Sequence, residues 1–350
     1  MIERRKTRIV KIGNRAIGGK NKIAVQSMLN VPANDVEGNV KQALELEKAG
    51  CEIVRLTVPD TAAVKTLYAV KEAVKIPVVA DIHFDYRCAL ESVAAGADKI
   101  RINPGNIGDD SKVKAVADAC RLQGVPIRIG VNSGSLEKNI LAKYGSPTPE
   151  ALCESAFYHI SLLEKYDFND IVVSIKSSDV QRMVAAYRLL AGKCDYPLHL
   201  GVTEAGTHNM ALIKSSIGIG ALLLDGIGDT IRVSMTDNPV KEVKAGFDIL
   251  KGAGIKTDCV RLVSCPTCGR TKIDLISLAN QIETALENCN KQITVAVMGC
   301  VVNGPGEAKE ADIGVAGGDG CGVLFKHGEV LRKVSEEEIV PELLKEIDRM

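Results

Sequence analysis

Three cysteines stand where the chain direction would bring them together. Cys265-Pro-Thr-Cys268 separates a strand-like run from a helical one, and Cys300 ends the next strand-like run, just before Asn303-Gly-Pro-Gly-Glu307. A C-x-x-C pair at a helix start fits a thioredoxin-like redox pair, half of a zinc site, or an iron–sulfur site. Structural zinc prefers four Cys or His ligands; beyond Cys300 the nearby choices are Cys289 and Cys321, and neither closes an obvious site. Three Cys with the replaceable carboxylate of Glu307 instead suit a [4Fe-4S] cluster whose fourth iron exchanges its ligand for substrate. Such a cluster is a Lewis acid as well as an electron carrier. Cys51, Cys88, Cys120, Cys153, Cys194 and Cys259 are scattered singly and read as small buried hydrophobes.

A second constellation is cationic. Arg55, Arg101, Arg128, Lys176 and Arg232 fall on one parity of five strand-like runs, and the same parity across all eight runs carries Gln26, Thr57, Asp81, His83, Asn103, Asn132, Ser174, His199, Thr203 and Ser234. Asp81 is the only clear anion on that face. Leaving buried charge unpaired costs several kcal/mol, so the set calls for an anionic ligand. Guanidinium forks match phosphate oxygens, and each charge-assisted bond contributes roughly 1.5–3 kcal/mol. A diphosphate is the expected guest. Glu204, in Thr203-Glu-Ala-Gly206 at the end of a run, is the acid/base candidate. No complete G-x-G-x-x-G is present, and the glycine-rich stretch 13–21 lacks phosphate-loop spacing.

These residues need a scaffold that aims strand ends at one point. Strand-like runs at 22–28, 51–58, 76–83, 99–103, 126–132, 170–176, 197–203 and 229–234 alternate with amphipathic stretches such as 36–49, 62–74, 111–122, 149–165 and 180–191. The count fits an open doubly wound sheet or a closed barrel. Charge on one parity of nearly every strand favours the barrel, because strands buried on both faces of an open sheet would not tolerate it. The expected architecture is therefore a TIM-type (β/α)8 barrel over 1–256, holding substrate, and a small α+β iron–sulfur domain over 257–350. Residues 7–21 form a hairpin arm. The second domain should contain strand 259–264, helix 273–288, strand 292–298, short strands near 312–315 and 322–326, and helix 336–350. Its apolar content is modest, so a bound inorganic centre would help hold it.

Composition narrows the function classes. The 350 residues carry 44 basic and 44 acidic side chains, which gives no global field for nucleic acid or an anionic membrane. Aromatics make up only 3%, with no Trp, which disfavours a base-stacking platform. The longest uncharged apolar stretch, 215–224, is about half of the ~20 residues a spanning helix requires. Met1-Ile-Glu-Arg-Arg-Lys is not followed by a continuous apolar segment, so no export signal and a cytoplasmic setting are expected. There the eleven Cys argue for metal or redox chemistry over disulfides.

Taken together, Val54-Arg-Leu-Thr-Val-Pro59, Ala80-Asp-Ile-His-Phe84, Arg101-Ile-Asn-Pro-Gly105, Arg128-Ile-Gly-Val-Asn132, Thr203-Glu-Ala-Gly206, Cys265-Pro-Thr-Cys-Gly-Arg270 and Met298-Gly-Cys-Val-Val-Asn-Gly-Pro-Gly-Glu307 carry a resemblance. Over essentially its whole length the chain resembles the 4-hydroxy-3-methylbut-2-en-1-yl diphosphate synthase family of the methylerythritol phosphate route to isoprenoids. The resemblance implies reductive ring opening of 2-C-methyl-D-erythritol 2,4-cyclodiphosphate to a linear diphosphate, with two electrons consumed and a hydroxyl lost as water. It implies cluster ligation by Cys265, Cys268, Cys300 and Glu307, with Glu307 displaced by a substrate oxygen. Diphosphate ligands would be Arg55, Arg101, Arg128, Lys176 and Ser234, and Glu204 would be the acid near the reacting carbons. Flavodoxin or ferredoxin would donate the electrons.

Barrel helices run back from the mouth, so the chain enters its second domain at the far end. A head-to-tail homodimer is therefore expected, one chain's cluster covering its partner's mouth. The competing readings are a thiol–disulfide oxidoreductase using Cys265 and Cys268, and a zinc-stabilised diphosphate-binding module.

Overall fold

The computed structural model describes residues 2–287, 289–300 and 310–350. The chain divides into two compact units, Met1–Ala253 and Gly254–Met350.

The first unit opens with an antiparallel hairpin, β1 (Val10–Ile12) and β2 (Arg15–Ile17). Eight parallel strands follow: β3 (Ala24–Met28), β4 (Ile53–Thr57), β5 (Val78–Asp81), β6 (Lys99–Ile102), β7 (Ile127–Asn132), β8 (Ile171–Lys176), β9 (His199–Leu200) and β10 (Thr230–Ile231). Their order is β8-β7-β6-β5-β4-β3-β10-β9, and a parallel bridge from Val173 to Leu198 joins the two ends into a ring. This is the TIM-type barrel expected from the strand parity. The helices are α1 (Val36–Lys48), α2 (Val64–Ala73), α3 (Tyr86–Ala94), α4 (Asp110–Gln123), α5 (Lys138–Tyr144), α6 (Pro149–Glu164), α7 (Val180–Ala191), α8 (His208–Leu224) and α9 (Pro239–Gly252).

Local chemistry starts these helices where they start. Asp35, Asp85, Asp109, Thr148, Asp179 and Asn238 each accept a backbone N–H of the first turn. Such a cap contributes about 1 kcal/mol, and Pro149 and Pro239 add a preset φ at the first helical position.

The lumen has two zones. At its floor Val10, Ile12 and Ile17 of the hairpin pack on Ala24, Ile53, Val79 and Val172, one inward residue from each of four strands. The arm is thus a plug. Side chains alternate along a strand, so the next inward positions lie two residues up, and there the sequence turns polar: Gln26, Arg55, Asp81 and Ser174. Register then sets neighbours side by side, with Asp81 opposite both Thr57 and Arg101, Arg101 opposite Arg128, and Asn132 opposite Lys176.

The second unit is a five-stranded sheet in the order β11 (Arg261–Ser264), β12 (Thr294–Met298), β13 (Ile313–Gly318), β14 (Cys321–Lys326) and β15 (Glu329–Ser335). The first three are parallel and the last two antiparallel. Helices α10 (Leu275–Leu286) and α11 (Ile339–Asp348) cover it, and Leu278, Ile282, Leu343 and Ile347 meet Val295, Val297, Ile313, Val315 and Leu324 in one core. That core is fuller than the modest apolar content suggested. β15 is absent from the sequence-based expectation. It is an edge strand whose residues are mostly exposed, so no burial alternation marks it. Its signal is the two-residue turn His327-Gly328, both at positive φ, which fits a tight hairpin.

Candidate functional site

At the C-terminal end of the barrel strands a cavity is lined by Arg55, Asp81, His83, Arg101, Arg128, Asn132, Ser174, Lys176, Thr203 and Arg232. All five cations singled out by parity are there, from β4, β6, β7, β8 and the segment after β10. Asp81 sits among them, with its carboxylate 3.4 Å from Arg55 Nη2 and 3.1 Å from Arg101 Nη1. Arg101 Nη2 also donates to the Gly130 carbonyl at 3.1 Å. A Cβ on Gly130 would stand 2.4 Å from Arg101 Nε, so the glycine is what lets the guanidinium cross β7. Arg128 Nη1 donates to Ser174 Oγ at 3.2 Å, and Arg55 rests on the Met28 sulfur.

The electrostatics are lopsided. Burial on its own would raise the Asp81 pKa, but the charges of Arg55 and Arg101, then His83 and Arg128, reverse this and hold the carboxylate well below its ordinary range. Burial pushes Arg55 down to about 10. It also lowers Arg128 and Lys176, and the neighbouring guanidinium groups add to the effect in both. Arg128 Nε and Nη2, Arg101 Nε and Arg232 Nε are buried with no hydrogen-bond partner among the described residues. Donors held so close together at such cost match a polyanionic guest.

Asp81 is the one carboxylate among the lining residues, as parity suggested, but a second carboxylate meets one of the cations from outside the cavity. Glu242, on α9 outside the ring, reaches in to lie 3.5 Å from Arg232 Nη2 and accepts from Ser27 Oγ and the Met235 N–H. Arg232 thus has a carboxylate neighbour of its own. Asn103, Glu204 and Ser234 do not line the cavity. Asn103 is buried just beyond β6, with Oδ1 unpartnered among the described residues. Glu204 is exposed beside the lining residue Thr203, with φ +49. A non-glycine residue in that left-handed region stores strain, a feature that clusters at functional sites.

Parity reasoning missed two further groups. Lys99 shares the inward face with Arg101 and is fully buried beneath it. His159 on α6 accepts the Gly105 N–H on Nδ1 at 3.2 Å and sets Nε2 2.6 Å from Glu137, so one ring ties the loop after β6 to the loop after β7. A His on a mostly apolar helix face was its only sequence signal.

In the second unit, pairing of β11 with β12 puts Ser264 beside Val297, so Cys265 and Cys300 follow neighbouring strand ends. The Gly299 N–H donates to Cys265 Sγ at 3.2 Å. Cys268 is exposed, and its backbone N–H meets Thr271 Oγ1 at 3.2 Å. Hydrogen bonds from Arg270 pull the Cys268 thiol below its usual range. Among the described residues no three Cys, His, Asp or Glu side chains close on a single metal ion. A cubane cluster, however, spaces its ligand sulfurs more widely than one ion does. Glu307 lies outside the described residues.

A closed (β/α)8 barrel with a cation-lined mouth, followed in the chain by a sheet module that bears Cys265, Cys268 and Cys300, is the architecture of a two-domain enzyme. The GcpE TIM-barrel domain matches residues 7–247 and the GcpE protein C-terminal domain matches residues 261–349. The chain belongs to the GcpE family. Relatives named 4-hydroxy-3-methylbut-2-en-1-yl diphosphate synthase (flavodoxin) include that of Clostridium perfringens, 56% identical over 99% of both chains. That of Fusobacterium nucleatum is 57% identical over 98% of this chain and 97% of its own. Among solved structures, a truncated 3-deoxy-D-arabino-heptulosonate 7-phosphate synthase from Thermotoga maritima matches 72% of this chain and 95% of its own at 12% identity, with a TM-score of 0.50. That likeness concerns the barrel fold alone.

Proposed function

We propose that this chain is a 4-hydroxy-3-methylbut-2-en-1-yl diphosphate synthase. It opens the ring of 2-C-methyl-D-erythritol 2,4-cyclodiphosphate, consumes two electrons, and releases a hydroxyl as water. The observation that carries the reading is the mouth, where five cations converge and several of their buried donors have no protein acceptor among the described residues. Arg55, Arg101, Arg128, Lys176 and Arg232 grip the diphosphate, and Asp81 bridges Arg55 and Arg101 and keeps both in orientation. Asn132, His83, Asn103 and Ser234 add polar contacts around the ring. Glu204, at the rim, supplies a carboxyl group to the departing hydroxyl.

The thiols of Cys265, Cys268 and Cys300 are soft donors suited to an iron–sulfur centre, and Glu307 would complete a [4Fe-4S] ligand set. When bound, that cluster supplies single electrons and a Lewis-acidic iron. The names of the relatives point to flavodoxin as the electron donor.

The reading includes a head-to-tail homodimer in a cytoplasmic setting. α9 returns the chain to the barrel end opposite the mouth, which favours a partner's cluster over its own. α8 presents Met210, Ile213, Ile217 and Leu224, all exposed and recurring at helical spacing, as a surface for a second copy. No described helix is long and apolar enough to cross a membrane.

Anaerobic turnover of the cyclic diphosphate with an artificial reductant, followed by product identification, tests the reading. Glu307→Ala should sharply reduce turnover while keeping most of the iron and sulfide. A colourless zinc protein, or normal turnover in the variant, would overturn the cluster assignment.

A further inference from the structure

Beneath the mouth lies a charged group that the proposed chemistry does not use. Lys99 pairs in register with Val79, a residue of the lumen floor, so its side chain enters the lumen one step below Arg101. It is fully buried, and Nζ has no hydrogen-bond partner among the described residues. The same interior holds the Gln26 amide and His199 Nε2, also unpartnered among the described residues, while His199 Nδ1 is 2.8 Å from Thr230 Oγ1.

The charges that face Lys99 are those of Arg128 on β7 and Arg55 on β4, both repulsive. The carboxylates of this layer are engaged elsewhere, Asp81 on β5 by Arg55 and Arg101, and Glu242 by Arg232. Burial, then those two guanidinium charges, push the Lys99 amine well below the ordinary lysine range. Burial and the charges of Arg128, Lys176, Lys99 and Arg55 do the same to His199.

We propose that Lys99 is a proton-binding site coupled to the mouth: when a diphosphate seats above it, the Lys99 amine takes up a proton, which it gives up when the anion leaves. The inference rests on the reading of the mouth as a diphosphate pocket. Its physical basis is distance. Two residues of strand put Lys99 about 7 Å below the level of Arg101, and over that span inside a low-dielectric barrel a polyanion acts strongly on a buried amine. Linkage fixes the sign: if binding takes up a proton, affinity rises as pH falls, and the coupling is reciprocal. Lys176 is the other lumen amine, but it lines the cavity itself. A variant at Lys99 separates the two.

The test is calorimetric titration of the full chain with inorganic pyrophosphate at pH 8 in two buffers of different ionisation enthalpy. Wild type should take up approaching one proton more per bound pyrophosphate than Lys99→Met, a substitution that keeps the apolar stem. The wild-type affinity should also gain up to about tenfold more than that of the variant for each pH unit lowered. Equal proton uptake in a variant that still binds overturns the proposal, and Lys99→Leu serves if Lys99→Met fails to fold. Wild type that binds pyrophosphate with no uptake beyond the ligand's own ionisation overturns it without any variant. If wild type fails to bind pyrophosphate at all, the mouth reading falls, and this inference with it.

Discussion

Replacing Arg128 by Met separates a guanidinium kept for a ligand from one kept for the fold. Arg128 is 0% exposed, and among the described residues only Nη1 has a partner, Ser174 Oγ at 3.2 Å. Ser174 Oγ also donates to the Ile129 carbonyl, so removing the guanidinium orphans nothing. In the free protein the substitution exchanges an uncompensated buried charge for an apolar stem, which should stabilise the barrel by about 1–3 kcal/mol. For a unit of this size that raises the thermal midpoint by roughly 2–4 °C per kcal/mol. Toward an anion the effect reverses. Losing charge-assisted bonds of about 1.5–3 kcal/mol weakens pyrophosphate binding roughly 12- to 160-fold. Thermal melts read the first effect and titration calorimetry the second. A lower midpoint with affinity unchanged within about twofold would refute the reasoning, since it would make Arg128 structural.

Asp81→Asn should act oppositely on stability. Arg55 and Arg101 lose their shared carboxylate, at a cost of about 3–5 kcal/mol near neutral pH. Because the folded Asp81 pKa is depressed, its stabilisation is full above the unfolded value of about 3.9 and is lost as pH falls through the folded value. Wild type and variant should therefore converge in acid unfolding followed by circular dichroism, and a gap that stays constant below pH ~4 would contradict this. Glu204→Gly relaxes the residue at φ +49, so thermal stability should hold or rise by up to about 1 kcal/mol while turnover collapses. Retained turnover would remove Glu204 from the chemistry.

Much of the barrel and its mouth was legible because a strand writes its two faces into alternate residues. Ile127, Ile129 and Val131 face outward while Arg128 and Asn132 face inward, whatever lies elsewhere in the chain. The edge strand β15 escaped for the matching reason, since exposure on its residues erases the alternation.

Parity assigns a face but not a partner. That Glu242 reaches Arg232 and Ser27 depends on how α9 lies against the ring closed between β3 and β10. That His159 joins two mouth loops depends on where α6 crosses them, and that β1 and β2 seal the floor depends on strands far along the chain converging there. The position of Lys99 is of the same kind: its place on the inner face is local information, but that its Nζ has no partner among the described residues follows from Asp81 and Glu242 being taken by other cations. Residue order alone thus determined the eight strands and the cationic inner face, because each follows from a short-range period. Tertiary structure decided which charges are compensated and which are left for a ligand, because compensation is a sum over groups that only folding brings within reach.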